Sequence, residues 1–585
     1  MRRFFVNTGA AGSNKDFAPQ SLTLEESEAY HAARVLRAQP GDELWALDGQ
    51  GHQFTCRVLS VSKSRVELGV EKSEYRDPLP WSVTLAQALP KGPWRVVNMH
   101  MSDCLGGWCF YDEEFKQPLS VPRYVNQGQV TKDVFRPESH ILEINSKSGL
   151  YPLYVAYNIY RSRVEAAKAK YGEVSHGFAM NLWDATIEEN ILVVCKTPMA
   201  KSITKRTLAG FRSTRVNAQY YPNLIENISE RPEAVVNTFR DGKRFWKINQ
   251  DTNMKLDAIV SNPPYQVMDG GAQASASPVY NLFVNASIKL KAHYVSMIMP
   301  ARWYAGGRGL DEFRLSMLND KHIRRLDDFT NPELVFPGTN IRGGICYFLR
   351  DSNYDNSNNL VRVVTHEKDG ISSDTMRSLQ IDGIETFVRD GKAISILAKV
   401  RKNSHQFMEE WISSLRPFGF RGYFVNDEAY HSTPEVVLHP VTCIGKGRQK
   451  GYVERELIKV HKEWIDGWKV IMPRANNIGT ELNDDNLNAF IGEPNTICTE
   501  SYLVIGGSAN LDELQCVNLC LYLKTKFARF MHKLAKSSQD ATSKTFAFVP
   551  LQDFSKPWTD AELYAKYGLT KDEISFIESM IKPME

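Results

Sequence analysis

The run Leu256-Asp257-Ala258-Ile259-Val260-Ser261-Asn262-Pro263-Pro264-Tyr265 most constrains what this chain can fold into. An apolar strand stops in two consecutive prolines. These fix φ at about −65° and remove two backbone donors, so the chain leaves the strand as a stiff, kinked finger outside any ladder. The side-chain amide of Asn262 and the carbonyl of Pro263 can then accept two hydrogen bonds from one –NH2 group, and Tyr265 offers a flat face on which a planar ring can stack. A strand closing in a polar proline turn is the plainer alternative. It gives no reason for the order strand, Asn, paired Pro, aromatic.

The tetrapeptide, with Asp257 leading the strand, resembles the catalytic motif of the amino-group DNA methyltransferases. The stretch from about Val96 to the C-terminus resembles the adenine-specific methylase part of type II and type III restriction-modification enzymes. The resemblance implies a site-specific DNA adenine methyltransferase that uses S-adenosyl-L-methionine on the 6-amino group of adenine. Asn262, Pro263, Pro264 and Tyr265 would be its catalytic residues, double-stranded DNA its partner, and a base taken out of the stack its substrate. The cytosine 4-amino methylases more often carry Ser or Asp first, so Asn262 favours adenine, although both amines fit the same acceptors.

A chain of 585 residues is too long for one core and predicts three or four domains. Its 42% hydrophobic and 11% aromatic content is that of a globular protein. The net charge of +3 announces no nucleic-acid partner in bulk, so a basic surface has to be local. The longest apolar stretches, such as Tyr294–Pro300, fall far short of the ~20 residues a bilayer requires, and Met-Arg-Arg-Phe-Phe at the start turns polar at once. These features read as a cytoplasmic protein with no membrane partner. Nine cysteines without a C-x-x-C pair predict reduced thiols and no metal site, with Cys516 and Cys520 as packing residues.

Residues 1–92 alternate short strands and turns: 42–47 before Asp48-Gly49, then 54–59 and 65–70. Asp-Gly between such runs signals a hairpin, and the spacing predicts a small β-barrel. His31-Ala32-Ala33-Arg34-Val35-Leu36-Arg37, Pro40-Gly41-Asp42 and Leu85-Ala86-Gln87-Ala88-Leu89-Pro90-Lys91-Gly92 resemble the PUA-like barrel of the 16S rRNA uridine-N3 methyltransferase family, small-subunit methyltransferase E. The resemblance stops at Gly92, so it implies an RNA partner for the barrel and not that family's activity; an incidental fusion is the alternative. From 93 to 410, apolar strands at 141–144, 191–194, 258–260, 294–299 and 345–349 alternate with helical patterns. This predicts an α/β, Rossmann-like class I methyltransferase domain built on a mostly parallel sheet. Residues 411–585 lose the alternation and read as a mixed α/β target-recognition region closing in two helices near 513–534 and 559–581.

In doubly wound folds the ligand sits where the first strand turns into a helix. The matching segment is Leu142-Glu143-Ile144-Asn145-Ser146-Lys147-Ser148-Gly149-Leu150. By resemblance, Glu143 stands near the methionine end of S-adenosylmethionine, Asn145 and Ser146 belong to the cofactor turn, and Gly149 allows close backbone approach. Gln129-Val130-Thr131-Lys132 resembles the motif lining the methionine moiety. The chain departs from the family at Lys147, where a glycine is usual, and at Cys195, where an acid normally caps the second strand and holds the ribose. Asp184 or Glu188 is the candidate replacement, and Asp241 a candidate for the cofactor adenine. The basic run 196–206 contacts phosphate or forms a solvated helix face.

Ser277-Pro278-Val279-Tyr280 begins a helix, and Met299-Pro300-Ala301-Arg302-Trp303-Tyr304 ends a strand; both resemble segments that flank the flipped-base pocket, as does Phe336-Pro337-Gly338. Trp303 or Tyr304 is either a wedge against the base or a core aromatic. For DNA recognition the candidates are Lys446, Arg448 and Lys450 in a flexible basic loop, with Arg474, Asn476 and Asn477 able to contact base edges. Cations within 524–544 suit phosphates. With no helicase phosphate loop or nuclease constellation in the sequence, cleavage would fall to a separate restriction endonuclease. An rRNA methyltransferase directed by the barrel, and an inactive nucleic-acid-binding remnant, are the two other readings.

Overall fold

The computed structural model describes residues 2–8, 14–49, 51–62, 65–75, 91–248, 253–268, 276–304, 309–339, 341, 343–368, 370–381, 384, 386–478, 484–536 and 540–584. Residues 85–90, part of the segment that resembles the end of the PUA-like barrel, lie outside these. The chain divides into two compact units. The first comprises Met1–Met299 with Tyr347–Tyr354, and the second Pro300–Cys346 with Asp355–Glu585.

The first unit opens with strands β1 (Arg2–Phe5), β2 (Ser21–Glu25), β3 (Glu43–Leu47), β4 (His52–Val61) and β5 (Arg65–Tyr75), in the sheet order β1-β3-β4-β5-β2. Asp48-Gly49 makes the expected β3–β4 hairpin, with Gly49 at φ 72°. Every second residue of β2 and β3 is buried, and Phe4, Leu24, Ala46, Phe54, Cys56, Val66 and Leu68 form the core. Where the sequence predicts a small β-barrel, the described strands form a half-barrel, with β1 and β2 as edges that do not pair with each other. Bulges in the β4–β5 pairing at Thr55/Cys56 and Val58/Ser60 curve the sheet, but edges of four and five residues leave it open.

After a hairpin of β6 (Gly107–Tyr111) and β7 (Pro118–Val125) comes the α/β part. Its strands are β8 (Ile141–Ser146), β9 (Ile191–Cys195), β10 (Asn217–Tyr220) and β11 (Ala258–Ser261). A short hairpin of β12 (Gln266–Met268) and β13 (Ala276–Pro278) precedes β14 (Tyr294–Pro300). The order β10-β9-β8-β11-β14 has parallel pairs throughout, and chain order reverses between β8 and β11. Every residue of β8, β9, β11 and β14 is buried, as a sheet covered on both faces requires. Leu150–Tyr171 and Pro198–Ala209 are among the helices that follow the strands. The second starts with Pro198 behind Thr197, whose hydroxyl caps the Ala200 amide at 3.0 Å.

The second unit carries β15 (Ile323–Phe329), β17 (Val361–Glu367) and β18 (Gly370–Arg377) as neighbours, while β16 (Ile345–Asp351) belongs to the first unit from Tyr347 onward. Two three-stranded sheets follow. One is β20 (Gln449–Glu454), β19 (Pro440–Gly445), β23 (Thr496–Cys498); the other is β22 (Phe490–Gly492), β21 (Lys469–Pro473), β24 (Tyr502–Ile505). The two C-terminal helices expected from sequence are four. Thr525, extended and capping the Ala528 amide, splits Glu513–Lys524 from Lys526–Ala535, and Gly568 at φ 61° ends the turn after Asp560–Lys566 before Lys571–Met580.

Candidate active site

The parallel pairing of β8 with β11 sets Glu143 beside Val260 and brings the two loops that follow to one edge of the sheet. Ser261 Oγ donates to the Ile144 carbonyl across 2.5 Å, so the last residue of β11 is fastened to β8 immediately before Asn262. Asp257 lies at the other end of the strand, where it accepts from Arg136 Nη2 (2.7 Å) and the His140 amide (2.9 Å); its work is to hold the start of β11.

Pro263 and Pro264 are buried and rigid, and the Tyr265 carbonyl accepts from the Val279 amide at 3.2 Å, so both ends of the finger are anchored. Asn262 Oδ1 is buried and accepts no hydrogen bond from the described residues. A buried acceptor left without a donor costs about 1–3 kcal/mol, so a donor brought to Asn262 Oδ1 by water or a ligand would be stabilised there. The finger thus presents an empty acceptor on a rigid backbone. Ser277-Pro278-Val279 leads into the helix Tyr280–Lys289, as expected from sequence.

The β8 turn differs from a glycine-rich one. The β8–β9 register slips between Ile144 and Ser146, and the extra residue, Asn145, takes the left-handed conformation at φ 72°. Asn therefore supplies the backbone freedom that a glycine gives elsewhere, and Lys147 is an exposed residue. Ser146 Oγ accepts from the Gly149 amide (3.2 Å) and its carbonyl from the Lys196 amide (2.9 Å). Gly149 is at φ 75°, and an added Cβ would stand 3.1 Å from Thr204 Cα, so a side chain there is strained and tightly packed. Glu143 Oε2 and Asn145 Nδ2 are buried without hydrogen-bond partners among the described residues. Burial pushes the Glu143 carboxyl up to about 8, against the opposing pull of the Ser146 hydroxyl and the Lys147 ammonium.

Thr131 is buried and its hydroxyl is committed, donating to the Leu105 carbonyl and accepting from the Gln127 amide, both at 2.8 Å. Cys195 ends β9 fully buried. Desolvation pushes its thiol up to about 12, and Sγ sits 3.9 Å from Thr204 Oγ1. Asp184 is ion-paired to Arg212 at 2.7 Å, and Glu188 lies by the start of β9, where its carbonyl accepts from Asn217 Nδ2 in a short bond. Glu188 is therefore at the opposite end of the strand from Ser146. Asp241 caps the helical turn Gly242–Trp246 by accepting from the Arg244 amide.

Sequence reasoning missed a buried chain behind the site. Ser296 Oγ donates to the Phe348 carbonyl and so accepts from His100 Nε2, while His100 Nδ1 shares a hydrogen bond with Tyr151 OH; all three separations are 2.8 Å. Burial raises the Tyr151 phenol far above its ordinary value, with Tyr265 and Glu143 adding to the effect. A His in the apolar run Trp94–Met101 was the available signal. Thr204 and Thr207, which hold the β8 turn, were hidden within and just beyond a run that reads as basic.

In the second unit Trp303 and Tyr304 are buried: Trp303 donates to Cys346 Sγ at 3.4 Å and packs edge-on to Tyr304 and Phe313, which is a core role. Gly338, in the Phe336-Pro337-Gly338 segment, sits at φ 74°. Lys446, Arg448 and Lys450 are exposed at the β19–β20 turn, where the Arg448 guanidinium covers the Phe490 ring at 4.5 Å. Arg474 lies 3.7 Å from Asp540. Asn476 is interior, with Oδ1 accepting from Lys536 Nζ at 2.5 Å, and Asn477 is half-buried.

A parallel sheet in the order third, second, first, fourth, fifth, with a glycine-started helix after its first strand and Asn-Pro-Pro-Tyr after its fourth, is a doubly wound α/β arrangement. Residues 189–336 match the Eco57I restriction-modification methylase family, and residues 24–71 match the RNA methyltransferase PUA domain. Among curated relatives, an uncharacterized adenine-specific methylase of Mycoplasma pneumoniae is 30% identical over 147 residues, 25% of this chain and 34% of that one. A ribosomal RNA small subunit methyltransferase E of Synechocystis is 36% identical over 72 residues, 12% of this chain and 23% of that one. The chain thus spans about a third or less of these relatives' length. Among solved structures, the type IIL restriction-modification enzyme MmeI in complex with DNA aligns over 78% of this chain and 72% of its own, at 9% identity and a TM-score of 0.42.

Proposed function

We propose that the chain is an S-adenosylmethionine-dependent DNA adenine methyltransferase of the restriction-modification type, acting on the 6-amino group. The observation that carries the reading is the pairing of β8 with β11: it sets an unfilled buried acceptor, Asn262 Oδ1, on the strand end next to a turn whose Glu143 Oε2 and Asn145 Nδ2 are also unfilled. The residues fit the cofactor. Glu143 would hold its ammonium group, Asn145 Nδ2 would donate to it, and Gly149 leaves the backbone open to close approach. When bound, S-adenosylmethionine supplies a methyl group already activated on a sulfonium, so the chain needs no nucleophile of its own.

The chain's part is orientation. Asn262 Oδ1 and the Pro263 carbonyl accept both protons of the target amine and draw its nitrogen toward tetrahedral geometry, favouring the positive charge that develops there. Tyr265, held by Val279, stacks on the extruded base. The rigid finger fixes the nitrogen in an attacking position, which is worth more than any proton transfer in such a reaction. Lys446, Arg448 and Lys450 are the DNA contacts this reading assigns, and cleavage belongs to a separate endonuclease. An rRNA substrate delivered by the N-terminal half-barrel is favoured by the PUA match alone. Nine Lys and Arg against ten Asp and Glu over residues 1–75 leave that half-barrel balanced in charge.

Asn262→Ala tests the mechanism. Methyl transfer to duplex DNA should fall by about a hundredfold or more while cofactor affinity is kept; unchanged turnover would remove Asn262 from the chemistry.

A further inference from the structure

The helix Pro198–Ala209 has two occupied faces. On one, Thr207 Oγ1 donates to the Ser148 carbonyl at 2.7 Å, Thr204 Oγ1 lies 3.4 Å from Ser146 Oγ, and Thr204 fills the space that a side chain at Gly149 would need. Through the Lys196 amide on the Ser146 carbonyl, the segment leading into the helix also holds the β8 turn. On the other, Arg206 pairs with Glu28 at 2.9 Å and covers the Phe5 ring at 4.4 Å. Just beyond the helix, Phe211 stacks on Phe5 with centroids 4.6 Å apart and planes at 29°. Gly49 closes the contact, since a Cβ there would stand 2.9 Å from Phe211 Cβ. Glu28 is tied in turn to the Phe5 amide at 3.0 Å.

We propose that the N-terminal half-barrel is a brace for the cofactor turn, with Phe5, Glu28, Arg206 and Phe211 as positioning residues that act through the helix Pro198–Ala209. The inference rests on the reading of the β8 turn as the cofactor site. It assigns the half-barrel work that needs no RNA, in keeping with its balanced charge, and it gives Arg206, the last residue of the basic run 196–206, a structural role. Arg206 in that run is committed to Glu28 and Phe5 and is lost to phosphate. A contact built from an Arg on a carboxylate and an aromatic face, two stacked rings and a glycine that admits them is a specific joint. Its effect on the turn is direct, because the helix carrying it also packs on Ser146, Ser148 and Gly149. Asn145, held left-handed without a glycine, makes the turn one that benefits from outside support.

The test uses the full chain with Phe5→Ala, changed on the half-barrel side only, and Arg206→Ala, changed on the helix. Two readouts are taken: hydrogen exchange of the Gly149 and Lys196 amides without cofactor, and S-adenosylmethionine affinity by titration. The brace predicts exchange at both amides faster by about fivefold or more in either variant, a Kd weaker by a similar factor, unchanged kcat at saturating cofactor, and partial rescue by Arg206→Lys, which keeps the ion pair but not the planar stack. Unchanged exchange in both variants overturns the brace, whatever the affinities do. Faster exchange in a protein whose wild type takes up no cofactor upholds the brace and overturns the methyltransferase reading instead.

Discussion

Replacing Glu143 by Gln should change the proton count of cofactor binding, and the size of the change follows from the site. The Glu143 carboxyl is buried on β8 and pushed from 4.5 to about 8 by desolvation. In the unfolded chain it loses its proton near 4.5, so between that pH and about 8 the folded chain holds one more proton than the unfolded. Stability contributed by the neutral carboxyl is complete below the unfolded value and is lost as pH rises through this window, by up to about 5 kcal/mol. At pH 7 the empty site is about nine-tenths protonated. An ammonium group docking on Oε2 favours the carboxylate and expels that proton. Calorimetric titration with S-adenosylmethionine in buffers of differing ionisation enthalpy counts it: at pH 7 wild type should release about 0.9 proton more than Glu143→Gln. The variant should also lose the stability gradient between pH 5 and 8 in thermal unfolding. Equal proton counts in the two proteins would refute the argument, since the carboxyl would then be either already ionised or not in contact with the ligand.

Gly149→Ala forces a side chain into φ 75° and against Thr204, a conformational cost of about 1–2 kcal/mol before the clash, so cofactor titration should show about tenfold weaker binding. Lys446→Ala and Lys450→Ala should weaken DNA binding uniformly across sequences and each reduce the slope of log affinity against log salt by about one. Asn476→Ala removes one of the three acceptors of the half-buried Lys536 ammonium, the Asn476 and Ile478 carbonyls remaining. Calorimetric unfolding should show a loss of about 1–3 kcal/mol, with DNA affinity of the folded protein unchanged.

What was legible in the sequence was what repeats along one strand or turn. The apolar runs at 141–144, 191–194, 258–260 and 294–299 became β8, β9, β11 and β14, because a strand buried on both faces is continuous in hydrophobicity. Asp48-Gly49 marked its hairpin through backbone chemistry alone. The finger at Asn262 was legible because two prolines dictate its conformation. The bulge that puts Asn145 at positive φ was not, since Asn tolerates that conformation without requiring it. Nor was the interior position of Asn476, because its partner Lys536 is 60 residues away. The open edge of the half-barrel depends on strand lengths and bulges that residue types do not announce. The joint between Phe5 and Phe211 depends on two rings some 200 residues apart, each of which alone reads as an ordinary aromatic.

The central claim is that the Asn262 finger and the β8 turn together transfer a methyl group to adenine in DNA. The most direct measurement is transfer of labelled methyl from S-adenosylmethionine to unmethylated bacterial DNA, with rRNA in parallel, followed by digestion to nucleosides. The account predicts label in 6-methyladenine from DNA with wild type and none with Asn262→Ala. Label confined to rRNA, or to a nucleoside other than 6-methyladenine, would contradict it.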